Sequence, residues 1–522
     1  MPRGHAPTSP RETSASAHSS PVRDALATPS RYGMRQLSGW ILGPGFLLLT
    51  LLLPPPDGLS EAGWRTAGVA GLMAVLWISE AIPLPATALL PLVVFPVLEL
   101  GTIQQSAAPY SNPIIYLFLA GFILALAMQR WNLHRRIALH LISALGTRPA
   151  RILAGFLLAS ALLSMWVSNT ATALMMLPIA LSVVQLLPAD AEASSGTQRF
   201  RTALLLAVAY GATSGGMATL IGTPPNAVLA GYMSEVYGFS IGFGAWMLLG
   251  VPVTLATLVV VYLVLTRVCF RLDSGEVPGM AALLATEKAK LGPLSRGERI
   301  VLIVFVLTAL GWIFQRQLAL VLPWVSDTTI GIAGALLLFA LPVNRRGDFV
   351  MNWESTRALP WDVLLLFGGG LSLAGNMERH GLSRYLGDLC QGLGGVPMLL
   401  TLAILCFGIL MLTELTSNTA TAATFLPIVA ALALTLGQNP LLFLIPTALA
   451  ANCSFMMPVG TPPNAIVFGS GQITLPQMAR AGLLLNILLV PVILALVLLL
   501  GPAVFDLAQD LVPDWARTDV AR

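Results

Sequence analysis

Long apolar runs, separated by short polar stretches, follow one another along the chain from about residue 37 to residue 504. As helices, many of them are long enough to cross a bilayer core of about 30 Å. The pattern predicts an all-α polytopic membrane protein with about eleven transmembrane helices. We expect these spans near 37–53, 66–83, 84–99, 113–129, 202–232, 246–266, 300–315, 326–342, 362–377, 440–468 and 481–504.

Two apolar segments, 152–187 and 396–436, differ from the other runs. Each is roughly twice as long as one helix and is broken near its middle by polar residues, without a charged loop that could lie in water. This pattern favours two re-entrant hairpins that enter and leave the membrane on one side. The alternatives are two ordinary spans joined by a tight turn, or a hairpin whose Ser and Thr side chains only bond neighbouring helices.

The polar break in the first segment recurs in the second. The tripeptide Ser-Asn-Thr occurs at 168–170 and again, 249 positions later, at 417–419; the pentapeptide Gly-Thr-Pro-Pro-Asn follows at 222–226 and at 460–464. Phe118 and Phe367 are also 249 positions apart, so the similarity extends upstream. If the two hairpins do not cross the membrane, the chain crosses it five times between a span and its counterpart in the other half. The counterpart therefore runs in the opposite direction. The chain is therefore predicted to contain inverted repeats.

These boundaries predict the organisation of the whole chain. The first residues are rich in Ser, Pro, Ala and Arg and lack an apolar core, which is typical of a disordered segment. The predicted parts are a disordered cytoplasmic tail at 1–36, a first transmembrane helix at 37–60, a first inverted repeat at 61–266, a cytoplasmic linker at 267–299, a second inverted repeat at 300–505 and a C-terminal tail at 506–522.

Composition and charge agree with a membrane protein. Hydrophobic residues make up 56% of the chain and charged residues only 10%, and the net charge of +4 is small. Since the basic residues lie in loops, they indicate topology better than nucleic-acid binding, and they place the N-terminus in the cytoplasm. Arg379 and Arg384 fall on the opposite side and count against this orientation.

The repeated motifs predict a solute site, because an unsatisfied polar group is expensive in an apolar segment unless it lines a site. Glu414 is the only acidic or basic side chain between Asp388 and Arg480, and none lies between Arg151 and Asp190. Anion binding must then come from helix N-termini, hydroxyls, amides and bound cations. Four helices should begin at the motifs, and the preceding helices should end there with carbonyl oxygens suited to an alkali cation.

The motifs resemble those of the divalent anion:sodium symporter family, whose members carry succinate, malate, fumarate, citrate or sulfate. The resemblance covers residues from about 60 to 505. It rests on the two Ser-Asn-Thr tripeptides, the two Gly-Thr-Pro-Pro-Asn pentapeptides, Trp-Ile-Ser-Glu-Ala-Ile-Pro at 77–83 and Arg-Trp-Asn-Leu-His-Arg-Arg at 130–136. It implies Na⁺ as coupling ion, no organic cofactor, a small dianionic carboxylate as substrate, a homodimer in the cell (inner) membrane, and elevator-type movement.

The same resemblance assigns site residues by position. It places sodium site one on Ser164, Ser168, Asn169 and Gly222, and sodium site two on Thr413, Thr416, Asn418 and Gly460. The substrate carboxylates are expected at Ser168, Asn169, Thr170, Ser417, Asn418 and Thr419, with Thr461 and Pro462 adjacent.

Several alternatives remain at this point. Citrate, sulfate and C4-dicarboxylates all suit such a site, and a sodium-independent dicarboxylate exchanger would use the same motifs. A membrane enzyme is disfavoured because Ser168 and Ser417 have no histidine or carboxylate partner duplicated with them. A channel would not need two anion-sized tips. Glu414 either titrates during transport or has a structural hydrogen-bonding role, and the latter is favoured because Met165 takes its place in the first half.

Overall fold

The structure, a computed structural model, describes residues 33–188, 195–272, 275–389, 395–507 and 512–517. Within these ranges the chain is helical, with an isolated β-bridge between Pro342 and Phe349. Most of the predicted N-terminal tail and part of the predicted C-terminal tail lie outside the described residues. The all-α prediction is confirmed.

The helices fall into two groups around a central linker helix. Those of the first half are α1 Met34–Leu52, α2 Glu61–Ser79, α3 Leu84–Thr87, α4 Pro91–Val97, α5 Ile103–Ala107, α6 Pro113–Arg130, α7 Leu133–Leu145, α8 Pro149–Ser164, α9 Asn169–Val184, α10 Ser195–Gly216, α11 Pro224–Tyr237 and α12 Phe243–Leu263. The linker helix and those of the second half are α13 Met280–Leu291, α14 Arg296–Ile313, α15 Gln315–Val321, α16 Asp327–Ala340, α17 Trp361–Arg379, α18 Leu382–Leu389, α19 Met398–Thr413, α20 Asn418–Thr435, α21 Pro440–Asn452, α22 Pro462–Phe468 and α23 Leu475–Phe505.

Helix length separates full spans from shorter pieces. In the part of the chain that the structure describes, four continuous helical stretches are long and apolar enough to cross a membrane: Ile103–Arg130, Phe243–Cys269, Asn418–Thr435 and Leu475–Phe505. Helices α14 and α15 together form a fifth candidate, bent by 80°. Six further apolar helices, of 10–17 residues, are shorter than a full span. The chain is an integral, multi-pass membrane protein, whereas eleven spans and inverted repeats stay predictions.

Each predicted hairpin segment forms two helices joined by a four-residue turn. Helices α8 and α9 have 16 residues each and are joined by residues 165–168; α19 and α20 have 16 and 18 residues and are joined by residues 414–417. At 1.5 Å per residue, a 16-residue arm spans about 24 Å, less than the bilayer core. This length suits an arm that turns back inside the membrane, although the re-entrant placement itself stays a prediction.

At the centre of the molecule, helices of each half pack against helices of the other half. The second arm of the first hairpin, α9, packs on α22 of the second half, and its counterpart α20 packs on α11 of the first half. Helices α10 and α22 are likewise in contact, as are α21 and α11. The hairpin arms and broken helices therefore form one interlocked core.

The predicted linker contains a helix that hydropathy did not indicate. Helix α13 packs on α7, and Arg135 Nη2 donates to Glu287 Oε2 over 2.5 Å. Nearby, Arg136 Nε donates to Glu298 Oε1 over 2.7 Å. Two basic stretches that the sequence places in the cytoplasm thus meet at one end of the molecule.

Candidate functional site

Both repeated motifs line a single cavity of about 580 Å³. All the residues predicted to contact substrate lie in its wall: Ser168, Asn169, Thr170, Ser417, Asn418, Thr419, Thr461 and Pro462. Gly222 and Gly460 line it as well. Three further residues of the predicted sodium sites, Ser164, Thr413 and Thr416, are buried. The structure therefore brings together predicted substrate-contacting residues as far apart in the sequence as Ser168 and Pro462, 294 positions.

Four helices begin at the cavity, as predicted. The hairpin arms α9 and α20 start at Asn169 and Asn418, and α11 and α22 start at Pro224 and Pro462, whose missing N–H groups cost nothing at the first helical position. Ser168 caps α9 by accepting a hydrogen bond from Ala171 N over 3.3 Å. The N-termini aim partial positive charge at the cavity, roughly half a charge each.

The two broken helices are closed by matching asparagines. Helix α10 ends at Gly216 and α21 at Asn452, before the non-helical residues 217–223 and 453–461. In the first break Asn226 Nδ2 donates to Gly216 O over 3.3 Å and to Thr219 O over 2.8 Å. In the second break, Asn464 Nδ2 donates to Ser454 O over 3.2 Å and to Met457 O over 3.0 Å. Asn464 and both acceptors lie 238 positions after their counterparts in the first break. The repeated asparagine thus has the same structural role in both breaks.

Oxygen atoms converge at predicted sodium site one. Ser164 Oγ donates to Asn169 Oδ1 over 2.5 Å. A Cβ atom added to Gly216 would lie 2.7 Å from Asn169 Oδ1 and 3.0 Å from Gly222 O. Gly216 thus keeps open a small space faced by side-chain and main-chain oxygens.

Predicted site two has a similar donor set. Thr413 Oγ1 lies 2.7 Å from Asn418 Oδ1 and 2.9 Å from Ala451 O. One hydroxyl proton cannot satisfy both acceptors at once, so the three oxygens form an electron-rich group. The Thr416 hydroxyl is engaged elsewhere, with Leu412 O at 2.9 Å and Thr421 Oγ1 at 2.7 Å.

The oxygen donors at both positions fit a small alkali cation, which prefers hard ligands. These ligands are main-chain carbonyl oxygens of the non-helical segments and side-chain hydroxyl and amide oxygens. Cysteine and histidine are not among them. The residues that the resemblance assigns to sodium could therefore hold that ion.

A hydrogen-bonded bridge between the two halves was not foreseen from the sequence. Asn452 Nδ2 donates to Asn226 Oδ1 over 2.9 Å, and Thr223 Oγ1 donates to Asn452 Oδ1 over 2.7 Å. All three side chains are buried. The only hint in the sequence is a lone asparagine at the end of an apolar run, which indicates a buried partner without identifying it.

Two acidic residues in the cavity wall were also missed as site residues. Glu80 and Asp362 are exposed and line the cavity, and the described lining includes no basic side chain. Arg35 Nη2 lies 3.3 Å from Glu80 Oε1 and also donates to Ile78 O. The charged side chains in the described cavity wall are therefore both acidic.

Comparisons with known proteins identify the family to which the chain belongs. The family model for the sodium:sulfate symporter transmembrane region matches residues 39–507. The sodium-dependent dicarboxylate transporter SdcS of Staphylococcus saprophyticus is 43% identical over 493 residues, which cover 92% of this chain and 94% of the relative. SdcS of Staphylococcus aureus strain USA300 is 42% identical over 480 residues, covering 90% of this chain and 92% of the relative.

Two solved structures resemble the fold at low sequence identity. Neisseria gonorrhoeae MtrF, described within a class of antimetabolite efflux pumps, has a TM-score of 0.52 and 13% identity, covering 91% of this chain and 96% of its own. The Alcanivorax borkumensis YdaH transporter has a TM-score of 0.50 and 16% identity, covering 76% and 86%. The fold is thus shared with membrane transporters. On the family model and the close relatives, the chain belongs to the sodium:sulfate symporter family of transporters, the divalent anion:sodium symporters.

Proposed function

We propose that this chain is a sodium-coupled symporter that takes up C4-dicarboxylates such as succinate, malate and fumarate across the cell (inner) membrane. The observation that carries the proposal is that both Ser-Asn-Thr turns and both broken helices line one cavity. The names of the two SdcS relatives, which specify sodium and dicarboxylate, support the substrate class.

The charges around the cavity favour coupling to a cation. A dicarboxylate brings two negative charges, while the described lining holds two acids and no base. Four helix N-termini, at roughly half an elementary charge each, offset part of that charge, together about two elementary charges before screening. Cations at the two oxygen-lined positions would offset the remainder. Sodium is therefore proposed to bind before the dianion and to raise its affinity, since the anion alone would be under-compensated in a low-dielectric site.

The side chains have separate proposed roles. Asn169 and Asn418 begin the helices at the two turns and present oxygens to the sodium positions behind them, so each is proposed to serve ion and substrate together. Thr170 and Thr419 line the cavity beside them and are proposed to contact the substrate carboxylates.

The proposed orientation of the protein in the membrane rests on the distribution of its basic residues. If the N-terminus is cytoplasmic, Arg35 and its partner Glu80 lie on the cytoplasmic side, as does Asp362 near the start of α17. The cavity would then be open towards the cytoplasm. The interlocked hairpins and broken helices are proposed to move as one body in an elevator cycle, held by a second subunit in a homodimer. Their exchanged packing supports movement as a unit.

The proposal is tested with the purified protein in proteoliposomes. Uptake of labelled succinate is measured under an inward sodium gradient and compared with an equal potassium gradient, with unlabelled malate, citrate and sulfate as competitors. Sodium-dependent uptake that malate blocks is the expected result.

Other outcomes identify what is wrong. Uptake that needs internal dicarboxylate but no sodium would replace symport by exchange. If only sulfate or only citrate competes, the proposed sodium coupling stands, but the proposed substrate is wrong.

A further inference from the structure

Glu414 is a buried acid in the turn between α19 and α20. Its side chain is 1% exposed and accepts five hydrogen bonds. The donors are Phe455 N at 2.8 Å, Met456 N at 2.9 Å, Met457 N at 2.9 Å, Ser454 Oγ at 2.9 Å and Asn486 Nδ2 at 2.7 Å. Four of these five partners can only donate at the bonded atom, so the carboxyl group acts almost entirely as an acceptor, a pattern that suits a carboxylate.

None of these partners carries a charge. The ion pairs formed within the described ranges do not include Glu414. Neutral hydrogen bonds offset only part of the cost of burying a carboxylate, and a nearby cation would offset more.

The carboxylate lies beside predicted sodium site two. A Cβ atom added to Gly460 would lie 3.1 Å from Glu414 Oε2 and would overlap Ser454 Oγ. Glu414 also follows Thr413 directly in the chain, and Thr413 and Gly460 are both assigned to site two. The charge therefore forms part of the wall behind that site.

Site one has no equivalent charge. The residue 249 positions before Glu414 is Met165, whose carbonyl accepts a hydrogen bond from Thr219 Oγ1 over 2.6 Å. The sequence from 152 to 188 contains no acid at all. The two positions share their oxygen donors but differ by one acidic side chain.

We propose that Glu414 is a fixed negative charge that makes site two the tighter of the two sodium sites and the first to be filled. It acts as a positioning residue: it holds the unwound segment 454–457 and attracts the cation electrostatically. This inference rests on the proposed sodium coupling and adds an order to the two binding events.

The test measures sodium binding without transport. The purified full-length protein is unfolded thermally at increasing sodium, with potassium replacing it at constant ionic strength, and the sodium concentration at half-maximal stabilisation is read out. Because a unit charge at this range changes cation affinity by roughly one order of magnitude, Glu414→Gln should raise that concentration about ten-fold. Asn418→Ala should abolish the high-affinity response, and Asn169→Ala should leave it.

Matched variants separate charge from structure. Asn486→Leu removes one donor to the carboxylate but keeps the charge, so its half-maximal sodium concentration should stay near that of the wild type. Glu414→Asp also keeps the charge and should change it no more than about three-fold. It also carries the test if Glu414→Gln does not fold.

Two results would overturn the role of Glu414. One is a Glu414→Gln protein with the wild-type sodium response; the other is an Asn486→Leu or Glu414→Asp protein weakened as much as ten-fold, which would assign the effect to hydrogen bonding. A wild-type protein that sodium stabilises no better than potassium would instead refute the proposed sodium coupling.

Discussion

Phe118 and Phe367 meet edge to face, with ring centroids 5.0 Å apart and planes at 90°. They stand at matching positions of the two halves, 249 residues apart. In an arrangement related by a two-fold axis, a residue touches its own counterpart only where the axis passes. Phe118 also lines the cavity. The contact therefore places two matching positions of the sequence beside the cavity that both Ser-Asn-Thr turns line.

We expect this aromatic pair to be energetically coupled. Phe118→Leu and Phe367→Leu should each lower thermal stability, and a double-mutant cycle should give a coupling of about 1 kcal/mol because the edge-to-face contact is lost once. Phe407→Leu is the control, since that residue, on α19, is 41% exposed and is not part of the pair. Strictly additive effects of the two substitutions would show that the rings pack independently.

Asn169→Ala and Asn418→Ala should each abolish sodium-driven uptake. Each removes a side-chain oxygen, at the first residue of a helix, that accepts a hydrogen bond from a buried hydroxyl and faces the proposed ion. A loss of about 2–3 kcal/mol in a charge-assisted contact corresponds to roughly 30- to 150-fold weaker binding. Uptake in proteoliposomes is the measurement. Ser182→Ala on the same helix as Asn169 is the control, because its hydroxyl bonds only Pro178 O within the helix. Near-normal transport by either asparagine variant would contradict the assignment.

Gly216→Ala should remove the site-one part of the sodium response, which appears at higher sodium, while leaving the high-affinity response and a protein that is folded at low temperature. The added methyl would lie 2.7 Å from Asn169 Oδ1, inside the space that the oxygens surround. Gly408→Ala is a matched control, because a Cβ there meets no atom within 4 Å. In an exposed helix interior, that change should add about 0.5–1 kcal/mol of stability. The readout is sodium-dependent thermal stabilisation. Equal responses in both variants would show that the glycine is not needed for an ion.

Substitution of Thr170 or Thr419 should change substrate preference more than turnover. Both threonines line the cavity and lie directly after an asparagine that faces a sodium position. Thr170→Val and Thr419→Val keep the shape and remove one hydroxyl, a change of about 1–2 kcal/mol for a substrate that it contacts. Competition by malate, fumarate and succinate is measured for each variant. A uniform loss for all three substrates would indicate misfolding instead.

The acids at the cavity wall should weaken dianion binding on the side to which the cavity opens. Glu80→Gln and Asp362→Asn should each lower the KM for substrate on that side, about two- to three-fold at low salt and less at high salt, since such charges are screened. Efflux from loaded proteoliposomes of known orientation measures it. Glu61→Gln is the control, because this exposed acid pairs with Arg65 away from the cavity. A KM that is insensitive to both substitutions and to salt would exclude electrostatic repulsion.

The sequence predicted the parts of the site that local rules determine. Proline at the start of α11 and α22 and the Ser-Asn-Thr turns are governed by near neighbours in the chain, so the four helix starts at the cavity could be predicted. The duplicated motif predicted that both copies serve one site. Helix α13 was missed because its mixed composition resembles that of a solvated loop, and it is held by contacts with distant residues such as Arg135.

Long-range pairings could not be predicted from one sequence. The bond from Asn452 to Asn226 joins residues 226 positions apart, and no periodicity specifies its partner. Glu80 was recognised only as part of a motif near a helix end. Its place in the cavity wall depends on how α2 packs against α17, which hydropathy does not determine.

The exchanged packing of the two halves has a consequence for how this chain can change over evolution. A duplicated sequence usually offers a spare copy, so that one copy can drift while the other keeps the activity. Here α9 rests on α22 and α20 rests on α11, and one buried asparagine ties both breaks together. Neither copy is complete without the other, so damage to one half is damage to the whole site. The duplication provides no redundancy.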